Sequence, residues 1–432
     1  MDEEVSELSY GSPEAVGLLS GPFETLHKVS LDYLTPRNYG DATFNAVHPL
    51  YPGAVVLVGH RKTIVSHFAV GQSLLYADVH GVLLPEDKQR GMQLDTVFDI
   101  ASLTKLFTTI LILDQVGKGK VDLNTSVATY LPDFAVDAKC AITVLQLLTH
   151  TSGLPALPHP PLTPGYASVR ERRKAVLAAL PETPAGTKWL YSDINFMTLG
   201  FLLEVVSGQP LDALLEKTVT GARTKMLLLI QSLTAPQPLG MVDTFFNRGN
   251  GPKTGYLERT IATEFQRSIL GPVGEIFEPL RPQPVQLSVH DENCWALDGV
   301  SGHAGLFSTA IDLAALCQMI LGRGTLNGKC ILEPWTVDLI FNQYSPLDDG
   351  YQGLGFRLDV DAWSGPMKSL NTATHTGYVG TTVNIDRESD TFWLHLTNRV
   401  HPSRTWSNTN IARQETGRLI AQALGQKTKL GG

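Results

Sequence analysis

The strand-forming segments of this chain lie at its two ends, and that separation constrains the fold more than any other feature. Two β-rich runs, Gly53 to Gly59 and Thr63 to Val70, flank the polar triplet His60-Arg61-Lys62, a hairpin pattern. Strand patterns return near the C-terminus at Gly353 to Val360, Thr381 to Ile385 and Thr391 to Thr397. The last two are joined by the turn Asp386-Arg387-Glu388-Ser389-Asp390. Between the two groups, roughly 125 to 290, the chain is rich in proline and short helical patterns. Helical spacing also marks both ends, at Phe23, Leu26, Val29 and Tyr33 and from about Asn408 to Leu424. The expected class is α+β: an antiparallel sheet flanked by N- and C-terminal helices, with an inserted, mostly helical lobe. Residues 1–432 read as one domain. Its sheet lobe takes about 11–125 and 290–424, and its helical lobe about 126–289.

Composition narrows the function. The 432 residues are 43% hydrophobic and 18% charged, enough for a large core. A net charge of −8 argues against nucleic acid or an anionic membrane as partner. The basic run Arg170-Glu171-Arg172-Arg173-Lys174 reads as a solvated helix face. Apolar runs such as Ile110 to Leu113 are too short to span a bilayer. The acidic N-terminus shows no signal peptide, and Cys140, Cys294, Cys317 and Cys330 are scattered without C-x-x-C spacing. A cytoplasmic location is expected, with the oligomeric state left open.

Three short elements carry the chemistry. In Ser102-Leu103-Thr104-Lys105, at the head of the helical pattern Leu103 to Val116, the lysine lies one turn beyond the serine. Its ammonium can reach the hydroxyl and favour the alkoxide. It is the only S-x-x-K in the chain, but roughly one is expected by chance, so a capping serine with a surface lysine is the bland alternative. Tyr191-Ser192-Asp193 precedes the apolar helix Ile194 to Val206. A phenol beside a cation can reach its phenolate form and act as a base; otherwise Tyr191 is a half-buried ring and Ser192 or Asp193 a helix cap. His375-Thr376-Gly377 leads toward the strand at Thr381. Gly377 permits close approach of substrate, and the next N–H, from Tyr378, pairs with that of Ser102 as a candidate oxyanion hole. A second H-x-G, His303-Ala304-Gly305, precedes a helix start at Ser308, Thr309 and Asp312, so His375 is preferred.

Other chemistries lack their signatures. There is no G-x-S-x-G, H-E-x-x-H, Walker A or G-x-G-x-x-G pattern. The adjacent residues His290-Asp291-Glu292 cannot all face one ion without an unusual backbone. No metal and no cofactor are expected; the partner is a small-molecule acyl substrate.

With these elements in this order, the sequence resembles the serine β-lactamase and penicillin-binding-protein superfamily. It is nearest a class C-like branch that includes D-alanyl-D-alanine carboxypeptidases, D-aminopeptidases and carboxylesterases. The framework phrases Leu147-Leu148-Thr149-His150-Thr151-Ser152-Gly153-Leu154 and Gly299 to Ser308 fit the same pattern. Val289-His290-Asp291-Glu292-Asn293 and Leu396 to Pro402 resemble one bacterial subgroup of penicillin-binding-protein-like hydrolases. The likeness covers about 11–424 and implies a β-lactamase/transpeptidase-like fold. It implies that Ser102 is acylated while Lys105 and Tyr191 move its proton. The amides of Ser102 and Tyr378 would hold the oxyanion, with Asp193, His375, Thr376 and Gly377 binding substrate. The expected activity is hydrolysis of an ester, lactone or amide. Acyl transfer at the same site is the runner-up, followed by D-alanyl peptide or β-lactam cleavage and then a non-catalytic scaffold.

The sequence departs from that pattern in three places. Asp193 stands where asparagine is usual, so an ion pair with Lys105 is expected. His375 stands where β-lactamases carry lysine; with an ordinary pKa of about 6.5 it would be neutral at pH 7 and gain charge toward pH 6. Neutral acyl substrates should therefore be preferred to β-lactams. The third departure is an extra stretch at about Thr220 to Ala235, either a surface flap or a translated intron.

Overall fold

A computed structural model describes residues 8–425 apart from 164, 222–238, 252, 267–268, 271–275 and 278–280. The two groups of strands meet in one sheet. Its central order is Thr63–Leu74, Gly53–His60, Thr391–Thr397, Thr381–Asp386 and Thr372–Gly377, all antiparallel neighbours. Ser9–Tyr10 adds a parallel edge beside Thr63–Leu74. Arg357–Leu358, Gly350–Gln352 and Ser345–Leu347 extend the other side.

The central strands are apolar at successive positions because the sheet is covered on both faces. Along Gly53–His60, Val56 and Val58 pack with Phe23, Leu26, Leu419 and Ile420 of the terminal helices Gly21–Asp32 and Asn410–Ala423. Val55 and Leu57 enter the opposite core with Leu106, Ile110 and Leu313, from helices Thr104–Gly117 and Ala310–Leu321. The first hairpin turns at Arg61 and Lys62, both with positive φ, which matches the twist of the paired strands.

Of the strand expected over Gly353 to Val360 only Arg357–Leu358 forms, paired with Gly350–Gln352 just before that range. Gly353 N–H bonds to the Phe356 carbonyl at 2.8 Å, turning the chain back. Gly355 has φ +70°, and a Cβ there would lie 2.0 Å from the Thr109 hydroxyl, so the turn is seated on the helix below.

The middle segment supplies α-helices at Val127–Tyr130, Val144–Leu148, Val169–Ala178, Asp193–Ser207 and Leu211–Leu215. The expectation of helices through 289 does not hold among the described residues: from 239 to 289 the chain runs in loops, single 3-10 turns and short strands. One of these, Phe245–Phe246, joins Leu306–Ser308 and Phe98–Asp99 in a second small sheet. That sheet delivers the chain to Ser102.

Candidate active site

Ser102 sits in a single 3-10 turn, Ala101–Leu103, between strand Phe98–Asp99 and helix Thr104–Gly117. Ala101 is left-handed at φ 46°, a conformation that disfavours a side chain. Asp99 holds it there, because one carboxylate oxygen accepts the Ala101 N–H at 2.8 Å and the other the His290 N–H at 2.7 Å. A buried carboxylate thus ties the serine's turn to the His290 loop.

Lys105 lies one turn along and is fully buried. Its Nζ is 3.1 Å from Ser102 Oγ, 3.0 Å from the His303 carbonyl and 2.7 Å from Asp193 Oδ1. The first two are hydrogen bonds and the third is an ion pair. Burial alone would lower its pKa, but the charge of Asp193 and the neighbouring Tyr191 overcome burial and raise it. Lys105 is an ammonium at neutral pH.

Tyr191 arrives from the entrance of helix Asp193–Ser207, whose N-cap is Ser192. Its ring lies 4.8 Å below Nζ, and its phenol interacts with both Lys105 and Ser102. Burial raises the phenol pKa, Lys105 lowers it, and Asp193 raises it again, for a net rise. Asp193 cancels part of the help that Lys105 gives toward the phenolate, and the resting group is a phenol.

The third element is the strand Thr372–Gly377, beside Thr381–Asp386. A Cβ on Gly377 would lie 2.4 Å from the Ile100 carbonyl, so glycine lets this strand press against the serine's turn. Tyr378 follows, half-exposed, with Arg399 donating to its carbonyl at 2.7 Å and the His290 ring stacked on its own. His375 does not behave as expected. Burial first, then the charges of Lys105 and Arg357, push its pKa down to about 3. It stays neutral at pH 6 as at pH 8, so it provides no switchable cation for an anionic ligand.

A cavity of about 300 Å³ opens beside Ser102, walled by His150, Trp189, Tyr191, Arg357, Trp363, His375 and Thr376. Its permanent cation is Arg357, on the short strand next to Thr372–Gly377 and 5.5 Å from each of the Trp189 and Trp363 rings. Its Nη2 donates to Asp349 at 2.6 Å, while no group among the described residues takes Nη1. Nothing in the local sequence flags Arg357. His150 was visible only as part of a framework phrase; it lies against Tyr191 with ring centres 4.6 Å apart.

Residues set aside in the sequence return as supports. His303 meets Lys105 through its backbone, and its imidazole bonds to Ser301 at 2.8 Å and Asp291 at 3.0 Å. The His290-Asp291-Glu292 triplet diverges: His290 faces Glu264, Asp291 faces His303, and Glu292 faces Arg404. It knits three loops and does not converge on an ion. Asp193, Asp291 and His303 do offer ligand atoms within 4.8 Å of one another. The Lys105 ammonium already sits against that cluster.

The Beta-lactamase family profile matches residues 48–418. The chain belongs to this family. It is 33% identical over 371 residues to an N-acetylmuramyl-L-alanine amidase of Bacillus subtilis (strain 168), covering 81% of this chain and 78% of that protein. A Salmonella agona (strain SL483) protein, provisionally named a D-alanyl-D-alanine carboxypeptidase, is 32% identical over 381 residues, 83% of this chain and 81% of the relative. Among solved structures, EstCE1, described as a hydrolase with promiscuous acyltransferase activity, superposes with a TM-score of 0.66 at 18% identity. That match covers 94% of this chain and 99% of EstCE1. This β-lactamase-family hydrolase thus has the α+β fold its sequence implied, and no helix among its described residues is long and apolar enough to cross a membrane.

Proposed function

We propose that this β-lactamase-family protein hydrolyses an ester, lactone or amide through an acyl-enzyme on Ser102, with Tyr191 as the base. The observation that carries this reading is the placement of the buried Lys105, which donates to Ser102 Oγ and the His303 carbonyl and is ion-paired with Asp193. An ammonium with two hydrogen-bond acceptors and a carboxylate at 2.7 Å gives up its proton reluctantly and so makes a poor base. The active form is then the one in which the Lys105–Tyr191 pair has lost a single proton, from the phenol.

Tyr191 takes the Ser102 proton as Oγ bonds to the substrate carbonyl carbon, and the carbonyl π electrons move onto oxygen. In this reading the N–H groups of Ser102 and Tyr378 hold that oxyanion. On collapse, the bond to the leaving group breaks and Tyr191 returns the proton to it. Water then repeats the cycle on the acyl-enzyme, and Ser102 is restored.

Arg357 favours a second, narrower reading. Its free Nη1 in a tryptophan-lined cavity suits a substrate carboxylate. The names of the curated relatives make a peptide-like amide one such substrate.

Intact-mass analysis after treatment with a serine-reactive fluorophosphonate tests the core of the proposal. One adduct is expected, located at Ser102 and lost in Ser102→Ala together with turnover. Turnover of a good substrate by Ser102→Ala would refute it.

A further inference from the structure

Two histidines wall the cavity, and their backbone partners set their tautomers in opposite senses. His375 Nδ1 lies 2.9 Å from the Thr376 carbonyl. A carbonyl only accepts, so Nδ1 carries the hydrogen and the neutral ring leaves Nε2 bare. His150 Nδ1 lies 3.0 Å from the Ser192 backbone nitrogen. That N–H only donates, so Nδ1 is bare and the hydrogen is on Nε2. Both rings are held neutral by burial, with Lys105 and Arg357 pushing the same way. Neither Nε2 has a partner among the described residues.

The two rings flank Tyr191, with centres 4.6 Å away for His150 and 6.2 Å for His375. A lone-pair acceptor and an N–H donor therefore line one cavity, both beside the proposed base. We propose that the site selects a substrate carrying an N–H or O–H donor near its scissile carbonyl, taken by the bare Nε2 of His375, while Nε2–H of His150 meets an acceptor on the same molecule. This rests on the acyl-enzyme reading of Ser102 and goes beyond it in naming what the substrate must display.

The physical contrast is with lysine at position 375. An ammonium has three donors and no acceptor, so it attracts anions and acceptors. A neutral imidazole with its lone pair outward repels a carboxylate and rewards a donor. The substitution inverts the polarity that this strand presents. A carboxylate, if the substrate has one, is left to Arg357.

Two matched ester pairs test this with the native protein. Methyl glycolate against methyl methoxyacetate varies the donor on the acyl side. 2-Hydroxyethyl acetate against 2-methoxyethyl acetate varies it on the leaving side. The hydroxyl ester should be favoured in kcat/KM by about ten-fold in one of the pairs. His375→Met should reduce that ratio to near one, and His375→Gln, which returns an acceptor oxygen, should restore it in part. His375→Lys should push it below one. Ratios near one in both pairs for the native protein overturn the inference, as does a preference that His375→Met leaves intact. Fluorophosphonate labelling separates the two levels. Labelled Ser102 without a preference sinks this inference alone, whereas absence of labelling sinks the acyl-enzyme reading and this inference with it.

Discussion

The Asp193 carboxylate lies 2.7 Å from the Lys105 ammonium, and Lys105 is wholly buried. This pair decides the protonation state of the whole site, because Asp193 stabilises the charge on Lys105 and opposes the charge on Tyr191. Both effects retain protons. Asp193→Asn should let the coupled Lys105–Tyr191 pair lose its proton more easily. The acid limb of the kcat/KM profile for an ester should move down by about one to two pH units. An acid limb that stays in place would show that the pair does not control the base.

Arg357 is the cation left for an anionic ligand when burial holds His375 neutral. Inhibition by a small aromatic carboxylate should be unchanged between pH 6 and pH 8, contrary to the expectation from sequence. Arg357→Ala should weaken that inhibition about ten-fold, since a hydrogen bond to a charged group is worth about 1.5–3 kcal/mol. A neutral analogue of the same shape should lose far less. Inhibition that strengthens toward pH 6 would mean that His375 protonates after all.

Acid should destabilise this protein from about pH 6.5 downward. His150, His375, His395 and His401 are buried and all shifted down, the last three to about 3, about 3 and about 4. Below the unfolded pKa of about 6.5 the unfolded chain binds protons that the native state refuses, so stability rises with pH across this window. Asp312 and Asp99 oppose this, because burial raises both, Asp312 to about 7, and the native state keeps protons that the unfolded chain releases. Four histidines outweigh two carboxyls, each group contributing up to about 1.4 kcal/mol per pH unit. Urea denaturation at pH 7, 6 and 5 should show a steady fall. A flat profile would refute the assignment of neutral native histidines.

The extra stretch noted in the sequence falls mostly on residues 222–238, which lie outside the described residues. Its two ends meet: Leu239 N–H bonds to the Val219 carbonyl at 2.7 Å and Met241 N–H to the Thr220 carbonyl at 2.8 Å. Replacing 222–238 by two glycines should therefore leave the protein soluble, with Tm within about 3 °C, since loop closure depends only weakly on length. Loss of soluble protein would show that the segment contributes to the core.

Much of the fold and the site was legible in the chain itself because the deciding signals were local. The hairpin at His60 to Thr63, the terminal helices and the capped helix after Ser192 follow from spacing and turn chemistry within a few residues. Ser102, Lys105 and Tyr191 were found because a helix turn and a helix entrance set their relative placement. Arg357 was missed because a lone arginine on a two-residue strand carries no local signal. It enters the cavity only through pairing with a strand further along the chain, where Arg357 faces Thr374, 17 residues on. The role of His303 was hidden because Lys105 uses its carbonyl, which every residue possesses. Sequence determined which groups could react, since identity and short-range spacing are written along the chain. Tertiary structure alone decided their protonation: the opposing tautomers of His150 and His375, the neutral state of His375 and the charge on Lys105 depend on burial and on partners brought together from distant segments.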